Sequence, residues 1–142
     1  MNENIYWMKF EVLKPFMVDV FKGMGVPPDE AEICADVLIE ADKRGIDSHG
    51  VGRLKTIYYN RVVKDRIQSA KTDFKVVKDR MATAVVDGGQ GMGMVIAHRC
   101  MEMAIEKARK YGVGVVTARN STHYNIAAYY PMMACKAGMI GM

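Results

Sequence analysis

The sequence predicts an α/β fold, a helical N-terminal part followed by a mixed sheet with helices. Three observations carry that prediction. Apolar residues repeat at helical spacing through the first 64 positions, short β-branched runs begin after position 73, and the second half alternates strand, helix, strand, helix, strand.

Val12, Leu13, Phe16, Met17, Val20, Phe21 and Met24 form the first helical stripe. Pro15 is tolerable in a first turn, so this helix is expected to start near Val12 and end at Gly23 or Gly25. Pro27-Pro28-Asp29-Glu30 opens a second helix, with proline and acids where a first turn favours them. Its inner face is Ala31, Cys34, Ala35, Leu38 and Ala41, and Lys43-Arg44-Gly45 supplies terminal cations and a glycine stop. Asp47 or Ser48 is then the expected N-cap of a third helix from about His49 to Lys64.

Phe74 to Val77 and Ala82 to Asp87, separated by the charged turn Lys78-Asp79-Arg80, predict a hairpin. The glycine loop from Gly88 to Gly93 leads into a long helix, Met94 to Tyr111, that Gly112 ends. Val113 to Ala118 is a buried-strand pattern, followed by a loop from Arg119 to His123 and a helix of about Ile126 to Ala137. The run from Met139 reads as a further strand just beginning, so the chain is expected to be an incomplete piece. Residues 1–70 are thus expected to be the helical part and 71–142 the start of a truncated α/β core.

Half of the 142 residues are apolar and a quarter charged, which excludes disorder. Twenty basic residues against 16 acidic ones give a net charge of +4, scattered rather than clustered, so neither nucleic acid nor a membrane surface is an expected partner. No run approaches the roughly 20 apolar residues of a membrane span, and Met1 to Trp7 lack the basic and apolar pattern of a signal peptide. Cys34, Cys100 and Cys135 lie far apart among apolar neighbours and read as buried free thiols, which points to a reducing cytoplasmic setting. Thirteen methionines without a ligand spacing read as gap-fillers.

The glycine loop follows a strand and precedes a helix, but neither Gly89-x-Gly91 nor Gly91-x-Gly93 has the third glycine of a dinucleotide fingerprint. It reads as a tight turn whose amides could meet an anion, direct cofactor binding being the alternative. In Ser48-His49-Gly50-Val51-Gly52-Arg53, a helix starting near Ser48 would put His49 and Arg53 on one face. Such a pair suits a 2-oxo or 2-hydroxy acid. The guanidinium matches a carboxylate with two parallel donors, and an imidazole titrating near neutrality can exchange a proton with the C2 oxygen. A surface arginine beside a capping histidine is the structural alternative. Asn120, Ser121 and His123 lie after a strand, where α/β sheets bind ligands, or else cap the next helix. His98 reads as structural, and no metal-ligand spacing occurs.

Arg44-Gly45-Ile46-Asp47-Ser48-His49-Gly50-Val51 with Arg53-Leu54 resembles the R-G-x-x-S-H-G-x-x-R-[LF] motif of the type 2 malate/L-lactate dehydrogenase family, and Asn120-Ser121-Thr122-His123-Tyr124 resembles its N-S-x-H-[FY]-G. The resemblance spans nearly the whole chain. It implies NAD(P)-dependent oxidoreduction of a small 2-hydroxy or 2-oxo acid by a homodimer whose fold lacks a Rossmann domain of the usual kind. His49 would be the acid/base and Arg53 the carboxylate anchor. His123 would lie near substrate and nicotinamide, and is the base in the ureidoglycolate branch. Asn120, Ser121 and His123 are the only cofactor-side residues that the resemblance supplies here. Asn125 and Ala128 stand where the family has glycine, and a side chain at either is expected to narrow the pocket beside His123. Family members run to more than twice this length, so the chain is expected to be an N-terminal portion, inactive alone. The alternative is a non-catalytic binding module that needs a partner to complete its sheet.

Overall fold

The computed structural model describes residues 7–142, so most of the N-terminal segment read for a signal pattern, Met1–Tyr6, lies outside the described residues. Two packed helices come first, α1 (Phe10–Gly23) and α2 (Pro28–Lys43). Met17 and Phe21 of α1 are fully buried against Ala31, Cys34, Ala35 and Leu38 of α2. Burying a side chain the size of Phe21 contributes about 1.5–3 kcal/mol. Helix α1 starts two residues earlier than its stripe predicts, which puts Pro15 inside it. Both Pro15 and Glu11, whose carbonyl loses a partner, are exposed, so that carbonyl is open to solvent rather than buried unpaired.

Helix α2 ends in a Schellman turn: Gly45 N donates to Asp42 O and Ile46 N to Ala41 O, with Gly45 at φ +68°. The expected single helix from His49 to Lys64 does not form. A 3-10 turn, Asp47–His49, precedes a π-helix, Leu54–Lys64. Side chains explain the wider winding. Thr56 Oγ1 takes the Gly52 carbonyl and Asn60 Nδ2 takes the Thr56 carbonyl, competing for acceptors that an α ladder would use, and Asp65 N reaches back five residues to Asn60 O. Only Leu54 and Tyr58 of the π-helix are buried, four apart on its inner side.

The sheet is mixed, as expected. Its order is β1-β2-β3, with β1 (Lys75–Asp79) antiparallel to β2 (Thr83–Asp87) and β2 parallel to β3 (Val115–Arg119). Between β2 and β3 runs α3 (Gly93–Tyr111), ended by Gly112. Val113 and Gly114 stay out of the predicted strand because Gly114 packs directly on the α3 backbone, where a Cβ would overlap Ala104 O. Two apolar clusters result. One joins α1, α2 and Tyr58 to Met92, Met94, Val95 and Ile126; the other places Val86 of β2 against Ile96 and Cys100 of α3. The buried Glu30 carboxylate is matched by Arg99 at 3.2 Å and Thr72 N at 3.2 Å.

The last helix, α4, is Tyr129–Lys136, shorter than predicted because Asn125 at φ +68° turns the chain before it. Its end corrects the expectation of a strand at Met139. Gly138 at φ +75° donates to Cys135 O and Met139 N to Ala134 O, a second Schellman turn that sends the chain back over Pro131. Cys34 and Cys100 are buried free thiols, but Cys135 faces out on α4 and is exposed, contrary to expectation. No helix among the described residues is long and apolar enough to cross a membrane.

Candidate active site

The 3-10 turn and the loop after β3 meet over the π-helix. His49 closes the turn, half-buried, and its ring lies nearly parallel to that of His123, with centroids 5.8 Å apart and 21° between planes. His49 and Arg53 do not share one regular α-helix. They are joined instead through the backbone, since Arg53 Nε donates to Ser48 O. That bond leaves both Arg53 Nη groups without a partner among the described residues. Ser48 Oγ lies 2.9 Å from His49 Nδ1, which leaves His49 Nε2 for a ligand.

Gly50 explains why the turn tolerates no bulk. A Cβ there would overlap the Asp42 carboxylate, whose Oδ2 accepts Val51 N at 2.9 Å. Burial raises the Asp42 pKa, with the Val51 bond opposing and the Asp47 charge adding to the rise.

Two residues without an assigned site role in the sequence tie the site together. Asn125, buried, donates from Nδ2 to His49 O at 2.9 Å and to Tyr58 Oη at 3.3 Å, while its Oδ1 accepts Ile126 N at 2.7 Å. Tyr58 Oη lies 3.1 Å from His123 Nδ1. Asn125 thus links the His49 and His123 segments through its side chain and its backbone N–H. The signal in the sequence was asparagine at a glycine position, since these two residue types share the positive-φ region that Asn125 occupies. Tyr58 was legible only as the residue one helical turn after Leu54. Burial lowers the proton affinity of His123, and His49, Arg61 and Arg53 lower it further by charge.

Asn120 and Ser121 sit apart from this cluster. Asn120 Nδ2 donates to Asp87 Oδ2 at 2.8 Å, alongside Arg119 Nε at 2.9 Å, and Gly89 N donates to Asp87 Oδ1 at 3.0 Å. Ser121 is exposed and helps line a mostly apolar cavity of about 990 Å³ between α3, β3 and α4. His49, Arg53 and His123 do not line it. The glycine loop has no amide free for an anion. Gly88, Gly89, Gln90, Gly91, Met92 and Gly93 donate in turn to Arg119 O, Asp87 Oδ1, Asn120 O, Gly88 O, Thr72 Oγ1 and Thr122 Oγ1. It is a structural turn.

The bonds to Asp87 hold its carboxyl below the usual range, the Gly89 amide most of all. Stability from such a group is present above its unfolded pKa and lost as pH falls through the lower folded value. Asp87→Asn is expected to speed amide exchange at Gly89 at neutral pH, with the difference from wild type shrinking at acid pH; equal exchange at neutral pH would contradict this role.

The family model for malate/L-lactate dehydrogenase matches residues 8–142. The chain is 44% identical over 135 residues to an L-sulfolactate dehydrogenase of Methanocaldococcus jannaschii, covering 95% of this chain and 39% of the relative. It is 43% identical over 141 residues to a malate dehydrogenase of Pyrococcus abyssi, covering 99% and 38%. Its fold superposes on a malate dehydrogenase of Entamoeba histolytica with a TM-score of 0.92 at 38% identity, covering 95% of this chain and 37% of that one. It spans about two fifths of the length of such relatives. Motif, fold and matched span agree, and the chain belongs to the malate/L-lactate dehydrogenase family.

Proposed function

We propose that this chain carries the proton-handling and carboxylate-anchoring part of an NAD- or NADP-dependent dehydrogenase site for small 2-hydroxy and 2-oxo acids. The supporting observation is the pairing of His49 with His123, which Asn125 ties together by bonding a residue 76 positions away, with Arg53 bonded to the carbonyl of Ser48 beside His49. On the proposed division at residue 70, the first part supplies His49 and Arg53 and the α/β part, 71–142, supplies His123.

The free Nη groups of Arg53 hold the substrate carboxylate and orient C2. His49 Nε2 gives a proton to the C2 oxygen during reduction and takes it back during oxidation. The nicotinamide cofactor, when bound, exchanges hydride with C2. Of the residues here that would hold part of that group, His123 adjoins His49, while Ser121, whose hydroxyl has only a 3.5 Å contact with Thr122 O, and Asn120, whose side-chain oxygen has no partner among the described residues, would offer it hydrogen bonds away from that pair. They do not fit its phosphates, and the glycine loop has no donors left for them. Relatives named for malate, sulfolactate and lactate turnover support the substrate class. A cytoplasmic homodimer is the expected setting.

The test is oxidation of L-malate and L-sulfolactate with NAD and NADP by the intact protein and by Arg53→Lys. Lysine is a point charge in place of a planar fork, so KM is expected to rise about 10- to 100-fold, more than kcat falls. An unchanged KM would remove Arg53 as the anchor. A second reading, a non-catalytic module, draws on β3, an edge of the described sheet with Val115 half exposed beside the apolar cavity. Absence of turnover together with a partner paired to β3 would favour it.

A further inference from the structure

His123 is held from below by two donors that meet at one nitrogen. The backbone N–H of Asn125 lies 3.3 Å from His123 Nδ1 and Tyr58 Oη lies 3.1 Å from it. A backbone amide can only donate, so Nδ1 must present its lone pair. The orientation of the Asn125 amide is fixed independently, because its NH2 faces the His49 carbonyl and its oxygen accepts Ile126 N. That NH2 also donates to Tyr58 Oη, which directs the phenol proton onward to His123 Nδ1.

We infer that Tyr58 and Asn125 are positioning residues that lock His123 as the neutral imidazole with its proton on Nε2, so that His123 donates a hydrogen bond to the substrate oxygen and leaves proton transfer to His49. The inference rests on the hydroxy-acid reading for the identity of the substrate oxygen, and on the hydrogen-bond geometry alone for the tautomer. A histidine acting as base through Nε2 needs its lone pair there, with the proton on Nδ1 donated to an acceptor such as a carboxylate. Here the polarity is reversed. No carboxylate bonds to His123 among the described residues.

The surroundings agree. The groups facing the ring are His49 and Arg53 from the turn segment and Tyr58 and Arg61 from the π-helix, and every charged one among them disfavours an imidazolium. Tyr58 is fully buried, which pushes its phenol well above the usual range, so it keeps the proton it donates. The arrangement separates two imidazoles that would otherwise compete for one role: the ring bonded by Tyr58 and Asn125 becomes a fixed donor, and the ring of His49 meets only the Ser48 hydroxyl at its Nδ1.

The test is 15N–1H NMR of the histidine rings in the intact protein across pH, with His123 resonances assigned by their loss in His123→Asn. Wild type is expected to show His123 as the Nε2–H form at neutral pH, titrating below the ordinary histidine value. Tyr58→Phe removes one donor to Nδ1, so the midpoint is expected to rise by about half to one pH unit, with some Nδ1–H form appearing. Asn125→Gly, which keeps both the backbone donor and the positive φ, is expected to shift the midpoint less. Observation of His123 as Nδ1–H or imidazolium at neutral pH in wild type would overturn the inference, as would an unchanged midpoint and tautomer in Tyr58→Phe. If Tyr58→Phe does not fold, the wild-type spectrum decides. None of these readouts needs turnover, so a failure of hydroxy-acid oxidation counts against the proposed function and not against the tautomer.

Discussion

His49→Ala is expected to lower kcat by about 10²- to 10⁴-fold, the usual worth of a positioned general acid or base, while leaving the thermal midpoint nearly unchanged. The two halves of that expectation have separate causes. The His49 ring is half-buried, packs on His123 at 5.8 Å and meets only the exposed Ser48 hydroxyl, so truncating it opens no sealed cavity and orphans no buried donor. The main chain fixes the segment, through Asn125 Nδ2 on His49 O and Val51 N on Asp42, and both bonds survive the substitution. Affinity for NADH should therefore be retained while the proton step is lost. Steady-state rates and NADH titration of the two proteins check this. A kcat within about threefold of wild type would remove His49 from proton transfer and reopen the question of which imidazole carries it.

The sequence made the scaffold legible wherever one period dominates. The β1-β2 hairpin, the parallel return to β3 and the long α3 follow from β-branched runs and helical spacing, but of the strands only β2 alternates buried with more exposed residues; β1 is exposed throughout and β3, expected to be buried, is mostly exposed. It was less informative where side chains overrule the ladder. Thr56 and Asn60 bond carbonyls four residues back, and that local competition turns an expected α-helix into a π-helix. The strand expected at Met139 failed for a related reason. Apolarity alone does not distinguish a strand from a tail folded onto a helix, and the deciding feature is Gly138 in the left-handed region. The motif located His49, Arg53 and His123, yet nothing in spacing pairs Tyr58 with a residue 65 positions later. Such a contact belongs to the packing of α1, whose Phe21 ring meets Tyr58 edge-on at 5.8 Å and so holds the phenol toward His123.

Gly93→Ala is expected to damage fold and site together. A Cβ at this position would overlap the carbonyl oxygens of Thr122 and His123, which are main-chain atoms and cannot rotate away. The loop must move, and it is the loop that caps α3. Thr122 Oγ1 accepts Gly93 N at 2.9 Å and donates to Gly91 O at 2.7 Å, so displacement breaks a cap and a turn at once. Overpacking of this kind costs about 1–3 kcal/mol and the lost cap about 1 more, which corresponds to a fall in Tm on the order of 5–15 °C. The same displacement carries His123 off Tyr58, so activity should fall further than stability at any temperature where the variant is folded. Gly52→Ala provides the contrast within the same site. Nothing lies within 4 Å of a Cβ at Gly52 and its φ is not in the left-handed region, so alanine there should be neutral or stabilising by about 0.4–1 kcal/mol. Thermal melts and kcat for the two variants distinguish close backbone approach from a general intolerance of alanine. Equal Tm for Gly93→Ala and wild type would mean that the β3 loop does not rest on the start of α3, and the positioning of His123 would then need another cause.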